Sequence, residues 1–425
     1  MASRKFVNIF LEILQVSFLN LFLFGFLIKG FTPIKYIGLY GSIFMLIIRF
    51  FFNKKIIFNY FYFIQKYKIH FIAILFIIIS ILLSIFSTFP NFLESLDEFR
   101  GSMLNIILFF IISLSLKKEN LIYYIFTIII SLMANILIYT FSSFHYFNIP
   151  SRIPRDFSDK AELLFPFLMA ILFLIKKNYL FYLGIFLSIF TLFLLLLTGA
   201  RGGWISVGGE VVIISVIIFF RNIKFLKKRI VKKMLFIIIG FLVTFLFIIF
   251  YLIKYSPFIK HKFYQGLSSN GRDIIVKTRF PIFWKYGNFW VGIGGPGNYQ
   301  YNAFLQKHNA PKRMGEWKGK KFLYYSDEPF LLQIFYKEGI IGVISFLFFI
   351  VLFIISVAKE LLKKKNSLFQ YIFYTALLSS FIGTYIIRGL VEAREFKYLF
   401  FYLIIFIALK EYNENSLSLS RNSSE

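Results

Sequence analysis

The chain contains no cysteine among its 425 residues. Disulfides, thiol nucleophiles and cysteine-based metal sites are therefore excluded. The absence fits a protein that is partly exposed to an oxidising compartment. We expect neither a metal ion nor an organic cofactor.

Acidic residues are also scarce, with 20 Asp and Glu against 48 Lys and Arg, which gives a net charge of +28. Much of the excess lies in short clusters between apolar runs, where positive charge encodes membrane orientation. This placement favours topology over nucleic-acid binding as its cause. The mean hydropathy of +0.75 and an apolar content of 59% exclude an ordinary soluble globule, in which apolar usage is nearer half. The sequence therefore predicts an all-α polytopic membrane protein.

Apolar runs of roughly 20 residues, the length that crosses a bilayer, predict about twelve transmembrane helices. They cover residues 6–28, 34–52, 69–88, 102–116, 121–142, 161–175, 179–198, 204–220, 234–253, 334–357, 368–388 and 396–410. The first is expected to be a retained span and not a cleaved signal peptide. Segment 56–64 is too short to span and is assigned to the interface. Basic clusters fall in alternate loops, which predicts that both termini are cytoplasmic.

The same pattern divides the chain into four parts. Residues 1–254 hold helices 1–9, 255–328 form one large periplasmic catalytic loop, 329–412 hold a re-entrant segment and helices 10–12, and 413–425 form a disordered cytoplasmic tail. The large loop carries twelve Lys and Arg against four Asp and Glu. Long loops cross the membrane largely regardless of charge, so its basic character indicates an anionic ligand. Attraction to anionic lipid head groups is the alternative.

The first candidate motif is Thr198-Gly-Ala-Arg201-Gly202-Gly-Trp204, a tight turn between the seventh and eighth predicted spans. Its glycines allow the backbone to approach a ligand closely. The planar fork of Arg201 suits a phosphate group. The alternative is a helix hairpin with an arginine that reaches to the interface.

The second motif lies in the large loop and joins basic residues to a glycine run. Arg272, with Arg201, is a candidate clamp for a diphosphate, and Arg279 is a further candidate ligand. Pairing of Arg272 with Asp273 is the alternative. The glycine run lacks the Lys-Ser/Thr of a P-loop, so we assign its glycines a backbone role. They include Gly292, Gly294 and Gly297.

The third motif is an acidic pair, Asp327 and Glu328, directly before Pro329 and an apolar helix start. A carboxylate there is a candidate general base, and we rank Asp327 first. N-capping by Asp327 is the alternative. His308 is a second candidate base, with simple solvation as its alternative.

The pattern Lys337-Glu338-Gly339 interrupts the apolar run that follows. This predicts a short re-entrant helix over 330–338, with structural roles for Glu338, Gly339 and Gly342. Three further carboxylates lie in or near predicted spans, where ionisable groups indicate function. Glu210 is expected to pair with Arg201. For Glu12 and Glu162 the sequence offers no partner.

The order of these motifs resembles the O-antigen ligase and polymerase superfamily. The resemblance covers mainly residues 195–345: Thr198-x-x-Arg-Gly-x-Trp204, then Gly-Arg272, then Val-Gly-Ile-Gly-Gly-Pro-Gly297-Asn-Tyr, then Glu338-Gly-Ile-Ile-Gly342. It implies a metal-independent, inverting glycosyltransferase whose donor is a glycan linked to undecaprenyl diphosphate. It also implies that Arg201 and Arg272 hold the diphosphate. The acidic pair stands where ligases of this family carry a His-Asn type pair, a departure that polymerase-like members more often show.

From this resemblance we expect an O-antigen ligase of the bacterial inner membrane that transfers its glycan to the lipid A-core oligosaccharide. A polymerase that joins lipid-linked repeats is the alternative. A flippase for lipid-linked oligosaccharides fits less well, because transporters are built from repeats and the chain shows no evident repeat and one long external loop.

Overall fold

The structure is a computed structural model. It describes residues 2–28, 30–54, 56–87, 92–143, 153–175, 177–225, 228–264, 272–295, 299–310, 313–317, 320–324, 329–363, 366–390, 392 and 396–412.

Helices form nearly all of the described structure. They are α1 Ala2–Leu27, α2 Thr32–Phe52, α3 Ile56–Lys66, α4 Lys68–Phe86, α5 Phe92–Phe99, α6 Asn105–Ser113, α7 Tyr123–Ser143, α8 Asp156–Leu174, α9 Asn178–Leu197, α10 Arg201–Phe225, α11 Lys228–Tyr255, α12 Pro257–Tyr264, α13 Arg272–Tyr286, α14 Tyr299–Lys307, α15 Phe330–Leu362, α16 Leu368–Phe381 and α17 Lys397–Glu411. Short π-helical segments cover Arg100–Leu104 and Ile382–Ile387, and a 3₁₀ segment covers Lys118–Ile122. The predicted helical fold class is confirmed in this form.

Two short strands also occur in the segment that was predicted as a loop. Strands β1 (Arg313–Trp317) and β2 (Lys320–Tyr324) pair antiparallel, with Arg313 opposite Tyr324. This hairpin was not predicted from the sequence.

Eight helices within the described residues are long and apolar enough to cross a membrane. They coincide with eight of the predicted spans. The other predictions, at 102–116, 161–175, 234–253 and 396–410, fall on α6, α8, α11 and α17, so the number twelve stays a prediction. Large apolar side chains also cover the outside of the helices, as Phe51 does with 80% of its surface exposed. Such exposure suits lipid contact.

The core includes α17, which is buried from Leu399 to Leu409. This helix is apolar on all sides, as expected for a helix enclosed by others. It begins where Lys397 Nζ lies 5.8 Å from the ring of Phe26, near the end of α1. It ends where Glu411 pairs with Lys66 Nζ at 2.7 Å.

Polar contacts gather at two ends of this bundle. We call one of them the site end; it contains residues 199–203, 292–295, 337–341 and Arg388. We call the other the opposite end; it contains Arg49, Lys66, Lys117 and Glu411.

The structure supplies partners for two of the carboxylates in or near the spans. Glu12 pairs with Arg49 Nη2 at 3.1 Å, and Glu162 pairs with Arg388. The expected pair between Glu210 and Arg201 does not form, because Glu210 lies nine residues further along α10, which is roughly 13 Å at the helical rise. It accepts a hydrogen bond from Ser206 at 3.4 Å instead.

Candidate active site

Helix α15 is broken at Gly339, whose φ is 68°. A break leaves backbone groups without their usual helical partners, and a neighbouring loop supplies new ones. Ile340 N–H donates to the carbonyl of Phe289 at 2.9 Å, and Ile341 N–H donates to that of Trp290 at 3.2 Å. The second half of α15 therefore begins on the loop that follows α13.

The first half of α15 ends against the glycine run. The carbonyl of Lys337 accepts the N–H groups of Ile293, Gly294 and Gly295 at 3.1, 3.2 and 3.1 Å. The hydroxyl of Ser84, on α4, also donates to this carbonyl. Consecutive backbone N–H groups of this kind often bind an anion. Here they bind the carbonyl of the protein itself, so the run acts as a structural joint.

Close backbone contact at this joint requires glycine on both sides. A Cβ on Gly292 would lie 2.3 Å from the Glu338 nitrogen, and a Cβ on Gly339 would lie 2.3 Å from the Trp290 carbonyl carbon. Both residues have positive φ, which strains any other residue. We call residues 292–295 with 337–341 the glycine crossover. This contact accounts for the presence of a glycine in each of the two motifs.

Glu338 lies at the crossover and is fully buried. Neither oxygen of its carboxylate is hydrogen-bonded within the described part of the chain. Ser80 lies beside it, but the Ser80 hydroxyl donates to the Ile77 carbonyl at 2.8 Å. Gly342 packs against it, since a Cβ there would lie 2.5 Å from the Glu338 Cβ.

A small core outside the long apolar runs joins α13, α14 and the first half of α15. Arg279 is buried within it and donates to the Tyr301 hydroxyl at 3.4 Å. The ring of Tyr301 stacks on Tyr336 at 6.2 Å, and Lys337 Nζ lies 5.7 Å from its centroid. Arg279 is therefore part of a packed core with 1% exposure.

His308 follows α14 and is half-buried. Its ring stacks on Tyr286 with centroids 4.3 Å apart and planes 12° apart. Phe304 packs on it at 4.8 Å. Aromatic packing therefore fixes the ring, which the solvated alternative did not predict.

Arg201 is the first residue of α10. It lies within a tight turn over residues 198–204, which we call the Arg201 turn. Within it, Ala200 N–H donates to the Thr198 hydroxyl at 3.1 Å. The indole N–H of Trp204 donates to the Leu195 carbonyl at 3.1 Å. These bonds set the turn rigidly, and a helix N-terminus favours negative charge.

A charge cluster around the buried Arg388, which was not predicted from the sequence, packs against this turn. Arg388 Nη2 lies 2.6 Å from Asp159, its Nη1 pairs with Glu162 and its Nε lies 2.8 Å from Glu392. Arg155 also pairs with Glu392, at 3.1 Å. We call these five residues the Arg388 cluster. An available signal was the spacing of Arg388 and Glu392 at the end of a predicted span, where charges are costly.

The cluster contacts the turn through its two glycines. A Cβ on Gly202 would lie 3.1 Å from the carboxylate of Glu392. A Cβ on Gly203 would lie 1.9 Å from the Ser158 hydroxyl and 3.5 Å from Arg388 Nη1. The glycines of the motif thus let α10 approach α8 and Arg388.

Four of the predicted site positions lie wholly or partly outside the described residues. Asp327, Glu328 and Gly297 are among them, and so is the side chain of Arg272, the first residue of α13. Phe330, two residues after Glu328, donates its N–H to the Gly389 carbonyl at 2.8 Å. Within the described ranges, no cluster of three or more His, Asp or Glu side chains is placed to hold a metal ion.

Apolar outer surfaces, the eight membrane-length helices of the described residues and a polar end define a multi-pass membrane protein with its candidate site at one end of the bundle. Residues 186–347 match a family model described as O-antigen ligase. The match confirms the predicted resemblance over this segment, which is less than half of the chain. It runs from α9 into α15 and includes Arg201, Arg272 and both halves of the glycine crossover. The comparison with curated proteins gives no match.

Proposed function

We propose that the protein is an O-antigen ligase of the bacterial inner membrane. It transfers a glycan from undecaprenyl diphosphate to the lipid A-core oligosaccharide. The observation that carries this proposal is the O-antigen ligase match, which includes the Arg201 turn. A polymerase that uses a second lipid-linked glycan as acceptor is the alternative, since the superfamily covers both activities.

In the proposed reaction, a hydroxyl oxygen of the acceptor sugar attacks the anomeric carbon of the donor. The bond from that carbon to the diphosphate oxygen breaks with inversion, and the lipid diphosphate leaves with the electron pair. The acceptor proton passes to a general base. Positioning and neutralisation of the leaving group are then the main tasks of the protein.

Arg201 and Arg272 are the proposed diphosphate ligands. Guanidinium groups bind phosphate oxygens in a bidentate manner and keep their charge at any relevant pH. The N-terminal position of Arg201 on α10 adds the favourable field of the helix end. Two fixed positive charges neutralise the diphosphate leaving group, so the proposed reaction is metal-independent.

Asp327 is the proposed base, with Glu328 second and His308 as the alternative. Support for the acidic pair is its place two and three residues before Phe330, which is bonded to Gly389 beside Arg388. We expect loss of transfer in Asp327→Asn at matched membrane levels. Near-normal transfer in Asp327→Asn and Glu328→Gln, together with loss in His308→Ala, would assign the base to His308.

We further propose that the site end faces the periplasm, that both termini are cytoplasmic and that 330–338 is re-entrant. Support comes from the basic residues Lys66 and Lys117, which lie at the opposite end in ion pairs with Glu411 and Glu12, as positive-inside orientation expects. Alkaline phosphatase should be inactive when fused after Lys232 and active after Gln300. The reverse pattern would contradict this orientation.

Gel analysis of lipopolysaccharide from a strain that lacks the gene tests the function itself. A ligase predicts free lipid-linked chains and no polymer on the core, restored by the wild-type gene. Single-repeat caps on the core would identify a polymerase. Unchanged lipopolysaccharide with normal lipid-linked chains would exclude both activities.

A further inference from the structure

We propose that Arg388 is a positioning residue for glycan transfer, which holds the Arg201 turn and the start of α15 in their working arrangement. The proposal rests on the function proposed above, because it acts through Arg201. Arg388 lies outside the matched segment 186–347.

All three nitrogen positions of the Arg388 side chain are already engaged. Nε contacts Glu392, Nη1 contacts Glu162 and Nη2 contacts Asp159, and the side chain is 3% exposed. A buried guanidinium whose three nitrogens each contact a carboxylate is not accessible to a diphosphate. Arg388 is therefore not a further donor ligand, and any effect on transfer must pass through its neighbours.

These neighbours belong to separate elements that converge on the Arg388 cluster. Asp159 and Glu162 are on α8, and Glu392 lies beyond α16. On α10, Gly202 and Gly203 lie in contact range of Glu392 and Arg388. Gly389, which follows Arg388 in the chain, accepts a hydrogen bond at its carbonyl from the N–H of Phe330 at the start of α15. A movement of Arg388 would therefore displace both the Arg201 turn and the start of α15.

The backbone at Arg388 is set by an unusual local geometry. Its N–H donates to the Gly383 carbonyl at 2.9 Å, five residues back, at the end of the π-helical segment Ile382–Ile387. π-Helical segments are rare in proteins, and those that occur are often found at functional sites. The π turn shifts the register of the chain, and Arg388 then points into the gap between α8 and α10.

The charge of Arg388 also matters for an anionic donor. Arg388 forms ion pairs with three carboxylates next to the Arg201 turn. Removal of this charge would place a more negative surface beside the proposed diphosphate site. A lysine keeps the charge but replaces the planar fork by a single ammonium, so Arg388→Lys isolates geometry from charge.

The test is a double-mutant cycle for transfer by the full-length protein in membranes, with a polyprenyl-diphosphate glycan as donor. We expect Arg388→Lys to reduce transfer about 100-fold, the scale of a displacement of about 1 Å at a reacting site. If Arg388 acts through Arg201, Arg388→Lys combined with Arg201→Lys should transfer no more slowly than Arg201→Lys alone. A purely structural role predicts that the two losses multiply.

A second pair of variants tests the contact between the Arg201 turn and its neighbours Ser158 and Arg388 without changing any charge. Gly203→Ala should reduce transfer, because its Cβ would lie 1.9 Å from the Ser158 hydroxyl. Ser158→Gly removes that hydroxyl, which has no hydrogen bond among the described residues. The nearest remaining atom is then Arg388 Nη1 at 3.5 Å, an ordinary contact. Ser158→Gly should therefore restore transfer to Gly203→Ala, and absence of rescue would contradict the proposal.

Arg49→Lys is the matched control, because Arg49 is another buried arginine bound to a carboxylate, at the opposite end. It should lower the amount of protein but not transfer per molecule. Multiplicative losses in the cycle, or normal transfer by Arg388→Lys, would overturn the positioning role. Inactive wild-type protein in the same assay would instead overturn the proposed function. If the Arg388→Lys protein does not accumulate in membranes, the Gly203→Ala and Ser158→Gly variants test the positioning role instead.

Discussion

Arg49 and Arg388 are both buried arginines held by carboxylates, at opposite ends of the same bundle. Arg49 binds one carboxylate, Glu12, and the Gln15 side chain, so it joins α2 to α1. Arg388 binds three carboxylates from two regions of the chain. The first pair fastens neighbouring helices, whereas the second lies where several elements meet.

The surroundings of the two arginines differ as much as their partners do. Arg388 lies against Gly203 of the Arg201 turn and beside Gly389, which binds Phe330. Arg49 lies at the end of α2, where Lys117 and Asn120 also bind Glu12. A buried ion pair is weak evidence of a stabilising role when it is considered by itself. The elements that a pair connects are more informative than the pair.

The largest effect on stability should come from Arg388→Met. Removal of one partner from a buried ion pair costs about 3–5 kcal/mol, and here three carboxylates lose a shared partner. Arg49→Met affects one carboxylate and should cost less. Unfolding of the purified proteins in detergent would compare them. Equal losses would contradict the distinction between the two ends.

The next effect should come from Gly339→Ala at the glycine crossover. Positive φ costs a non-glycine residue about 1–3 kcal/mol, and the Cβ would also overlap the Trp290 backbone. The control is Gly240→Ala on α11, where a Cβ meets nothing within 4 Å and helix propensity favours alanine. We expect a lower melting temperature only for Gly339→Ala. Equal melting temperatures would show that the crossover is not tightly packed.

Much of this fold was predictable because apolar length specifies a span. The motif Lys337-Glu338-Gly339 also marked the place where α15 breaks. The Arg388 cluster was not predictable, since Arg388 and Glu162 lie 226 residues apart and one sequence does not reveal such pairs. Burial of Arg279 was missed for the same reason: its partner Tyr301 looked like any loop tyrosine. The glycine crossover likewise depends on a contact between two distant motifs.

The smallest effect should be a pH dependence at the opposite end. Burial alone would raise the pKa of Glu411, but hydrogen bonds from Lys66, Tyr67 and Tyr62 outweigh it and lower the pKa. A lowered pKa gives stability that is present above the unfolded value and is lost as pH falls through the folded value. Melting temperature should therefore fall at acidic pH, less steeply in Glu411→Gln. Identical pH profiles would exclude this contribution.

The most direct measurement of the central claim is glycan transfer from a polyprenyl-diphosphate donor by purified protein in proteoliposomes, for the wild type and for Arg201→Lys. The account predicts transfer by the wild type and a loss of about 100-fold in Arg201→Lys, since lysine keeps the charge but not the bidentate fork. Arg49→Lys should transfer normally per folded molecule. Full transfer by Arg201→Lys would contradict the claim that the Arg201 turn binds the donor.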